Sequence, residues 1–329
     1  MNFRISISPA NIEFDCNEDN NILAEALTAK INLPHGCKSG NCGACKCQVT
    51  NGDVTQEDNT NMAIFSQDEI DAGYVLLCKS HAHSDVTLNL PGFSNSHPIK
   101  TLPAKISSID KSGTTAIVML KLPAGQKFEF SAGQYIDILY EGQNRSYSLA
   151  NYATDKNELE LHIRYRKGGL FSEAVWSQLT VGSIVRFKGP LGSFTLSKND
   201  KPIVMVCTGT GLAPVKAILE QMIATNNLRP VHLIWGNFTT EDFYLTELLA
   251  KWQEKLNLRV SLCVNENPPI GYHNGLVTDL IVNEYENLMD YEVYACGNSQ
   301  MIQSLYQLAT TQLNLSAGNF FSDSFTPSK

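Results

Sequence analysis

The chain has 329 residues, of which 43% are hydrophobic and 18% are charged, enough for two or three globular domains with sizeable cores. The net charge of −8 argues against nucleic-acid binding, which needs a basic surface. No apolar run approaches the roughly 20 residues needed to cross a bilayer, and Met1–Ser8 alternates like a strand instead of resembling a signal peptide. We therefore expect a cytoplasmic protein, whose thiols stay reduced.

The first part of the chain is acidic and predicts a small α+β module. Residues 1–93 carry 5 Lys+Arg against 12 Asp+Glu, whereas the remainder carries 20 against 21. The excess of carboxylates is typical of a solvated surface, and it also suits a docking face for a basic patch on a protein partner. Alternating strands, a helix candidate over Asn21–Ala29 and a Cys-rich loop define the module. Residues 94–101, rich in turn formers, predict a linker.

The cysteine spacing predicts a metal centre in this module. Cys37, Cys42 and Cys45, followed by Cys78 after a gap of 32 residues, have the C-x4-C-x2-C…C spacing of plant-type [2Fe–2S] ferredoxins. Thiolates are soft ligands that select iron–sulfur clusters or zinc over hard cations. The small residues and glycines of the loop should let backbone N–H groups turn toward the sulfurs. We predict these four cysteines as the metal ligands.

Two alternatives for the metal centre stay open at this point. Cys47 lies two residues after Cys45 on a leaving strand, so its side chain could point the same way and replace Cys78 as the fourth ligand. The same thiols could also hold a structural zinc ion. A Rieske centre would need histidine ligands on one iron, and Cys78-x2-His81 offers half of that pattern without a Cys-x-His half. His35, His81 and His83 are therefore interpreted as surface or loop residues.

Residues 102–198 predict a small antiparallel barrel with a flavin site. Short β segments are separated by Gly, Pro and Asn, a rhythm typical of barrels. On one segment Arg145 could bind a phosphate, Tyr147 could cover a flat ring and Ser148 could hydrogen-bond a ring nitrogen. Gly169 and Ser172 stand at a Gly turn that opens a helix, where backbone N–H groups can hold a pyrophosphate.

Residues 199–329 predict a doubly wound α/β domain with a dinucleotide site. Apolar strands alternate with helices, which indicates a buried parallel sheet. A Gly-rich turn follows the first strand and leads into a helix predicted over Pro214–Ala224, an arrangement that brings a diphosphate to a helix N-terminus. Cys296 and Gly297 end the last clear strand, at the sheet edge where such folds bind ligands. The predicted residues of the turn are Thr208, Gly209, Thr210, Gly211 and Pro214.

The charge near the second strand of this domain predicts NADH in preference to NADPH. No Lys or Arg occurs between Arg229 and Lys251, so no nearby cation of the segment would neutralise a 2′-phosphate. Glu241 and Asp242 would repel one.

The order of these motifs resembles the ferredoxin–NADP⁺ reductase superfamily. The resemblance is carried by Arg-x-Tyr-Ser at 145–148, Gly-Gly-x-x-Ser at 168–172, Gly-Pro-x-Gly-x-Phe at 189–194, Gly-Thr-Gly-x-Ala-Pro at 209–214 and Cys-Gly at 296–297. The N-terminal cluster motif narrows it to the ferredoxin-fused reductases. It implies a multidomain α+β protein: an N-terminal β-grasp [2Fe–2S] ferredoxin, an antiparallel β-barrel FAD domain and a C-terminal α/β doubly wound NAD-binding domain. Thr208 departs from the pattern, since the family usually has glycine there.

The resemblance also implies an activity. We expect FAD, NADH and a [2Fe–2S] cluster to pass electrons to a partner protein, because a flavin converts a two-electron donor into single-electron steps. In this reading Arg145 anchors the flavin, Ser148 tunes it, Cys296 sits near the nicotinamide and a tail aromatic, Phe325, approaches the flavin ring. The implied partner is a pyridoxamine-phosphate-dependent dehydratase of 3,6-dideoxyhexose biosynthesis. An oxygenase is the alternative partner, and a small-molecule flavin or ferric reductase and a zinc-containing nucleotide sensor are the other rivals.

Overall fold

The structure of the protein is a computed structural model that describes residues 1–95, 97–153, 157–265 and 268–325. Ser96 of the predicted linker and residues 326–329 of the tail lie outside the described residues. The chain divides into two compact units, one of residues 1–100 with 189–193 and one of residues 101–188 with 194–329. No helix in the described part of the chain combines the length and apolar character needed to cross a membrane.

The N-terminal unit is a mixed sheet with a short helix packed against it. Its main sheet has the strand order β2-β1-β7-β3-β5, in which β1 pairs parallel to β7 and antiparallel to β2, while β4 and β6 form a separate ladder. The elements are β1 (Asn2–Ser8), β2 (Ile12–Asn17), α1 (Ile22–Thr28), β3 (Lys46–Asn51), β4 (Val54–Gln56), α2 (Gln67–Asp71), β5 (Tyr74–Leu76), β6 (Ser80–Ala82) and β7 (Val86–Asn89).

Local sequence explains these elements. On β1 the alternate residues Ile5 and Ile7 are fully buried, as the period of two requires for a half-buried strand. Helix α1 begins where the Asn21 side chain accepts a hydrogen bond from the Ala24 N–H at 2.8 Å, and α2 begins with a capping box between Ser66 and Glu69.

The second unit begins with an antiparallel barrel-like sheet, which confirms the prediction for this part of the chain. Its strand order is β11-β10-β13-β8-β9-β12, and an antiparallel bridge between Leu149, directly after β11, and Leu161, in the middle of β12, closes the sheet. The apolar side chains inside form one core. The elements are β8 (Lys100–Ser112), β9 (Thr115–Lys121), β10 (Tyr135–Tyr140), β11 (Gln143–Ser148), β12 (Glu158–Arg164), α3 (Leu170–Ser177) and β13 (Ile184–Leu191).

A parallel sheet with helices on both faces completes this unit. The strand order is β17-β16-β15-β14-β18-β19, and all neighbours pair parallel. Its order reverses at β14, so ligands are expected beyond the carboxyl end of that strand. The elements are β14 (Ile203–Thr208), α4 (Leu212–Ala224), β15 (Val231–Asn237), α5 (Thr246–Gln253), β16 (Leu258–Val264), β17 (His273–Asn274), α6 (Val277–Glu284), β18 (Glu292–Asn298), α7 (Ser299–Thr311) and β19 (Phe320–Phe325).

The sequence analysis missed one strand and misplaced one helix start in the parallel sheet. Cys296 and Gly297 do lie at the end of β18, which leads into α7, but a further strand, β19, pairs with β18. β19 was not predicted because the polar residues Ser322, Asp323 and Ser324 look like a loop in the sequence, although all three are buried. Helix α4 begins at Leu212 and not at Pro214, because a 3-10 turn over Gly209–Gly211 leads directly into it.

Candidate functional site

The four predicted cluster ligands lie together in the N-terminal unit as two pairs. The thiols of Cys37 and Cys42 hydrogen-bond to each other, and the Cys45 sulfur lies 3.3 Å from the Cys78 sulfur. Among the described residues, no group of three or more His, Cys, Asp or Glu side chains could hold a single metal ion. Two thiol pairs fit a centre with two irons, each of which takes two thiolates.

Backbone N–H groups point at the paired sulfurs, as the loop composition predicts. Ser39 and Asn41 each donate to the Cys37 sulfur at 3.4 Å, and the Cys37 N–H donates to the Cys42 sulfur at 3.3 Å. The Gly40 N–H donates to the Cys78 sulfur. These donors stabilise negative charge on the sulfurs of a bound cluster, so the residues present fit the group.

The pairing also shifts the pKa values of the thiols. The hydrogen bond from Cys42 lowers the pKa of Cys37 to about 5. In the other pair, the hydrogen bond from Cys45 lowers the pKa of Cys78. In each pair one thiol thus has its pKa lowered by a hydrogen bond from the other.

Cys47 lies apart from this arrangement. Its thiol donates to the carbonyl oxygens of Gln48 and Asn89 at 3.6 and 3.7 Å, and burial raises its pKa to about 12. A buried thiol with these partners is a small core residue. His35 does lie in a loop, but it is 1% exposed, and burial lowers its pKa to about 3.

The predicted flavin residues of β11 lie on one strand beside an aromatic support. Tyr147 packs against Phe171 of α3 with ring centroids 5.6 Å apart. Burial raises the pKa of Tyr147 to about 12, against the opposing charges of Arg145 and Arg166. The Arg145 guanidinium donates to the Asn144 carbonyl at 2.9 Å. An aromatic ring flanked by two cations suits a flat ligand that carries phosphates.

The start of α3 offers backbone donors. Gly169 precedes the helix, and a Cβ there would lie 3.0 Å from the Arg166 carbonyl oxygen and 2.4 Å from the Ser172 hydroxyl oxygen, a crowded position that favours glycine. In the described part of the chain, the N–H groups of residues 170–172 have no hydrogen-bond partner, as is usual for a first turn. Glu173 accepts from the Gly168 N–H at 2.7 Å and so already occupies one donor of this turn.

Ser148 has a partner that sequence reasoning missed. Its hydroxyl donates to the Asp323 carboxylate at 3.3 Å, across 175 residues of sequence. Asp323 lies on β19 opposite Cys296 of β18 and is 6% exposed. No local signal marks it, because its position depends on a strand with a polar sequence. β19 thus brings a carboxylate to the predicted flavin strand, and Phe325 ends the same strand, partly buried.

The two predicted nucleotide-binding turns are held against each other. Thr208 ends β14, and its hydroxyl oxygen accepts from the Asn298 N–H at 3.1 Å. Gly297 has φ +126, and a Cβ there would lie 2.4 Å from the same hydroxyl oxygen; a Cβ on Gly211 would lie 2.4 Å from the Cys296 carbonyl oxygen. Only glycine fits both positions. Threonine in place of the usual glycine therefore has a structural role, since it fixes the turn after β18.

The remaining predicted nucleotide residues occupy the same edge. The Gly209 carbonyl accepts from the Trp235 ring N–H at 3.0 Å, which fixes the Gly-rich turn that also contains Thr210. Pro214 lies in the first turn of α4 and is buried. The Cys296 side chain is 0% exposed, and burial raises its pKa well above the usual value. It is a neutral thiol within the core of the sheet.

A cation that the sequence analysis did not anticipate reaches this edge. Arg164 of β12 lies 3.4 Å from the Asp242 carboxylate, and its guanidinium lies 3.3 Å from where a Cβ on Gly209 would be. Asp242 also accepts from the Thr114 hydroxyl at 3.1 Å. The segment after β15 therefore has a cation nearby, supplied by the barrel, but a carboxylate already pairs with it.

Comparison with known proteins assigns each part of the chain to a domain type. Residues 5–83 match the 2Fe-2S iron-sulfur cluster binding domain, residues 104–196 the oxidoreductase FAD-binding domain and residues 205–307 the oxidoreductase NAD-binding domain. The three cofactors predicted from the sequence are thereby confirmed.

Relatives of known role match the whole length. A CDP-6-deoxy-L-threo-D-glycero-4-hexulose-3-dehydrase reductase of Yersinia pestis is 34% identical over 334 residues, covering 100% of both chains. The reductase component of a propane 2-monooxygenase of Mycolicibacterium smegmatis is 33% identical, covering 98% of this chain and 97% of that protein. Among solved structures, the Amycolatopsis reductase GcoB has a TM-score of 0.80 at 27% identity, covering 99% of this chain and 100% of that chain.

Proposed function

Because the chain belongs to the family of reductases that join a [2Fe–2S] ferredoxin module to FAD- and NAD-binding modules, we propose a specific electron acceptor for it. The protein is an NADH-dependent oxidoreductase that passes electrons through FAD and the cluster to a partner protein. The proposed partner is the pyridoxamine-phosphate-dependent CDP-4-keto-6-deoxyglucose 3-dehydratase of 3,6-dideoxyhexose biosynthesis. The location proposed for this work is the cytoplasm, where thiols remain reduced.

One observation carries the choice of acceptor. The tail over residues 320–329 and the Tyr-Ala-Cys-Gly segment at 294–297 resemble CDP-6-deoxy-Δ3,4-glucoseen reductases, and the Yersinia relative, named for a hexulose dehydrase, matches over the full length. The acidic N-terminal module, with 5 Lys+Arg against 12 Asp+Glu in residues 1–93, supports docking to a basic surface of that partner. The match to a propane monooxygenase component supports the second candidate, an oxygenase as acceptor.

The proposal assigns roles by module. When bound, FAD accepts a hydride from NADH and releases its electrons singly to the cluster. The proposed modules are 1–93 for the cluster, 94–101 for a linker, 102–198 for FAD and 199–329 for NADH. The proposed residues are Cys37, Cys42, Cys45 and Cys78 for the cluster, Arg145, Tyr147, Ser148, Gly169, Ser172 and Phe325 for FAD, and Thr208, Gly209, Thr210, Gly211, Pro214, Cys296 and Gly297 for NADH.

Within the flavin site, Ser148 and Asp323 would act as a pair. The Ser148 hydroxyl can donate to a flavin ring nitrogen only if its proton is not held elsewhere, and at present it donates to Asp323 at 3.3 Å. A bound flavin therefore competes with, or joins, that hydrogen bond. While its proton is held by Asp323, the Ser148 oxygen would be able to accept a hydrogen bond from a flavin N–H, but not to donate one to a ring nitrogen.

The visible spectrum of anaerobically purified protein tests the function first. Overlapping flavin and iron–sulfur bands should bleach on addition of NADH. Coupled turnover with the purified dehydratase, compared with a hydroxylase component, then tests the acceptor. Transfer to the hydroxylase alone would overturn the proposed partner, and a colourless protein that contains zinc would contradict the assignment of the cysteines.

NADH should be preferred over NADPH by at least about tenfold in kcat/KM, because Asp242 both repels a 2′-phosphate and pairs with Arg164. Replacing Asp242 with Ala should free that guanidinium and narrow the preference. Glu247→Ala, which removes an exposed carboxylate of α5, is the matched control and should leave the ratio unchanged. Steady-state kinetics with both nucleotides decide the matter, and similar efficiency with both in the unaltered protein would show that the charge argument is wrong.

A further inference from the structure

A buried lysine joins the barrel to the parallel sheet. Lys216 of α4 is 4% exposed, and its ammonium donates to the Ala150 carbonyl at 3.0 Å, to Glu160 at 3.0 Å and to Glu220 at 2.6 Å. A lysine ammonium has three donor hydrogens, so all of them are used. Lysine is almost never fully buried without such partners.

The hydrogen bonds continue on both sides of Lys216. Glu160 lies 2.8 Å from one ring nitrogen of His162, and the other ring nitrogen lies 2.9 Å from the Tyr244 hydroxyl. At the other end, Glu220 accepts from the Tyr152 N–H at 3.2 Å. We call these residues, Lys216, Glu160, Glu220, His162 and Tyr244, the Lys216 network.

The Lys216 network sets one ammonium, that of Lys216, against two carboxylates, those of Glu160 and Glu220. Although burial opposes ionisation, the hydrogen bond from His162 and the charge of Lys216 lower the pKa of Glu160. Burial, against the attraction of Glu160, lowers the pKa of His162. A neutral imidazole between a carboxylate and a tyrosine hydroxyl donates to one and accepts from the other, which fixes its orientation.

The position of the network relates the two cofactor sites. Ala150 comes two residues after Ser148 on the predicted flavin strand, and Glu160 and His162 lie on the neighbouring β12. Lys216 lies one turn into α4, the helix that follows the Gly-rich turn over 209–211. The network therefore connects the backbone beside one proposed cofactor site to the helix that begins at the other.

We propose that Lys216 is a positioning residue, which holds the proposed nicotinamide site at the distance and angle from the proposed flavin site that hydride transfer needs. The inference rests on the proposed function. The reaction transfers one hydride, a proton with two electrons, from NADH to the flavin, and leaves NAD⁺, so no other reactant is required. Such a transfer depends on reacting atoms about 3–3.5 Å apart, and a misplacement of 1 Å can cost about 100-fold in rate.

The test replaces Lys216 with Met, which keeps the apolar stem and removes the ammonium. In anaerobic stopped-flow experiments at saturating NADH, flavin bleaching should slow by roughly 10- to 100-fold, with a larger deuterium isotope effect from 4-deuterated NADH. Binding of ADP-ribose to the oxidised protein with its FAD and cluster in place, measured by calorimetry, should stay unchanged, because Lys216 makes no hydrogen bond to the Gly-rich turn. Lys216→Arg should restore part of the rate. Lys251→Met, on the surface of α5, is the matched control.

If Lys216 served only to stabilise the fold, different results would be expected. In that case Lys216→Met would lower the thermal midpoint while the folded protein kept the normal bleaching rate and isotope effect, and this result would overturn the proposal. The double variant Lys216→Met with Glu160→Gln removes both charges, so it should recover stability but stay slow. If Lys216→Met does not fold, Tyr244→Phe serves as the test, because it removes only one hydroxyl from the Lys216 network. This variant should also slow flavin bleaching, and an unchanged rate would overturn the proposal. Failure of the unaltered protein to bleach would instead contradict the proposed function.

Discussion

Replacing Cys42 with Ser is expected to abolish electron transfer to protein acceptors while NADH-driven reduction of ferricyanide is largely retained. The Cys42 sulfur hydrogen-bonds to the Cys37 thiol and accepts a hydrogen bond from the Cys37 N–H at 3.3 Å. A serine hydroxyl is a harder ligand on a shorter side chain, so the substitution would remove one thiolate ligand of the cluster. Substituting a residue that only hydrogen-bonds to a metal ligand already lowers metal affinity or activity by about 10–100-fold, so the loss of a ligand itself should lower it by at least as much. Reduction of cytochrome c and of ferricyanide, assayed in parallel, measures the two paths.

Cys47→Ser is the matched control for that experiment. The Cys47 thiol donates to backbone carbonyls, a role that a hydroxyl can take over, so the cluster absorbance and cytochrome c reduction should persist. Equal loss of both activities in Cys42→Ser would contradict the order in which electrons leave the flavin. Loss of the cluster in Cys47→Ser would revive the alternative in which Cys47 replaces Cys78.

Replacing Arg229 with Met should destabilise the second unit by about 3–5 kcal/mol, the usual cost of breaking a buried ion pair. The guanidinium lies 2.6 Å from the Glu292 carboxylate, with side-chain exposures of 4% and 1%, and it also donates to the Lys201 carbonyl at 2.7 Å. Glu292 begins β18, so the variant leaves a buried carboxylate unpaired at the start of a central strand. Urea unfolding followed by tryptophan fluorescence measures the effect.

A double variant separates the cost of leaving a charge unpaired from the cost of losing the packing of the Arg229 side chain. In Arg229→Met with Glu292→Gln no unpaired charge remains buried, so most of the lost free energy of unfolding should return. If the single variant costs less than about 1 kcal/mol, the range of an exposed pair, the interaction is weaker than its burial implies. If the double variant is no better than the single one, the cost comes from the lost side-chain packing of Arg229.

The fold class and the cofactors could be predicted because their signals are local in sequence. The spacing of Cys37, Cys42 and Cys45 is set by one loop, and the Gly-rich turn before α4 occupies consecutive residues. Each pattern has few structural explanations, and the order of the patterns along the chain restricts them further. The family matches confirm this part of the prediction, while the individual ligands and cofactor contacts stay predictions.

What could not be predicted depends on contacts between distant residues. Asp323 reaches Ser148 across 175 residues, and Arg164 reaches Asp242 across 78 residues. A polar residue in a sequence carries no indication of its partner, and a polar strand such as β19 lacks the apolar alternation that identifies strands. The segment after β15 has no Lys or Arg of its own between Arg229 and Lys251, but the barrel supplies Arg164 next to Asp242.

The late position of β19 in the chain has a consequence for protein synthesis. Ser148 is made 175 residues before Asp323, which at about 5–20 residues per second is an interval of roughly 10–35 seconds. The barrel strands are complete long before the strand that supplies the Ser148 partner leaves the ribosome. Any nascent or truncated chain that stops before Phe320 therefore has every barrel strand but lacks the carboxylate partner of the Ser148 hydroxyl. Translation, and not the folding of the barrel itself, sets when the Ser148–Asp323 contact can first form.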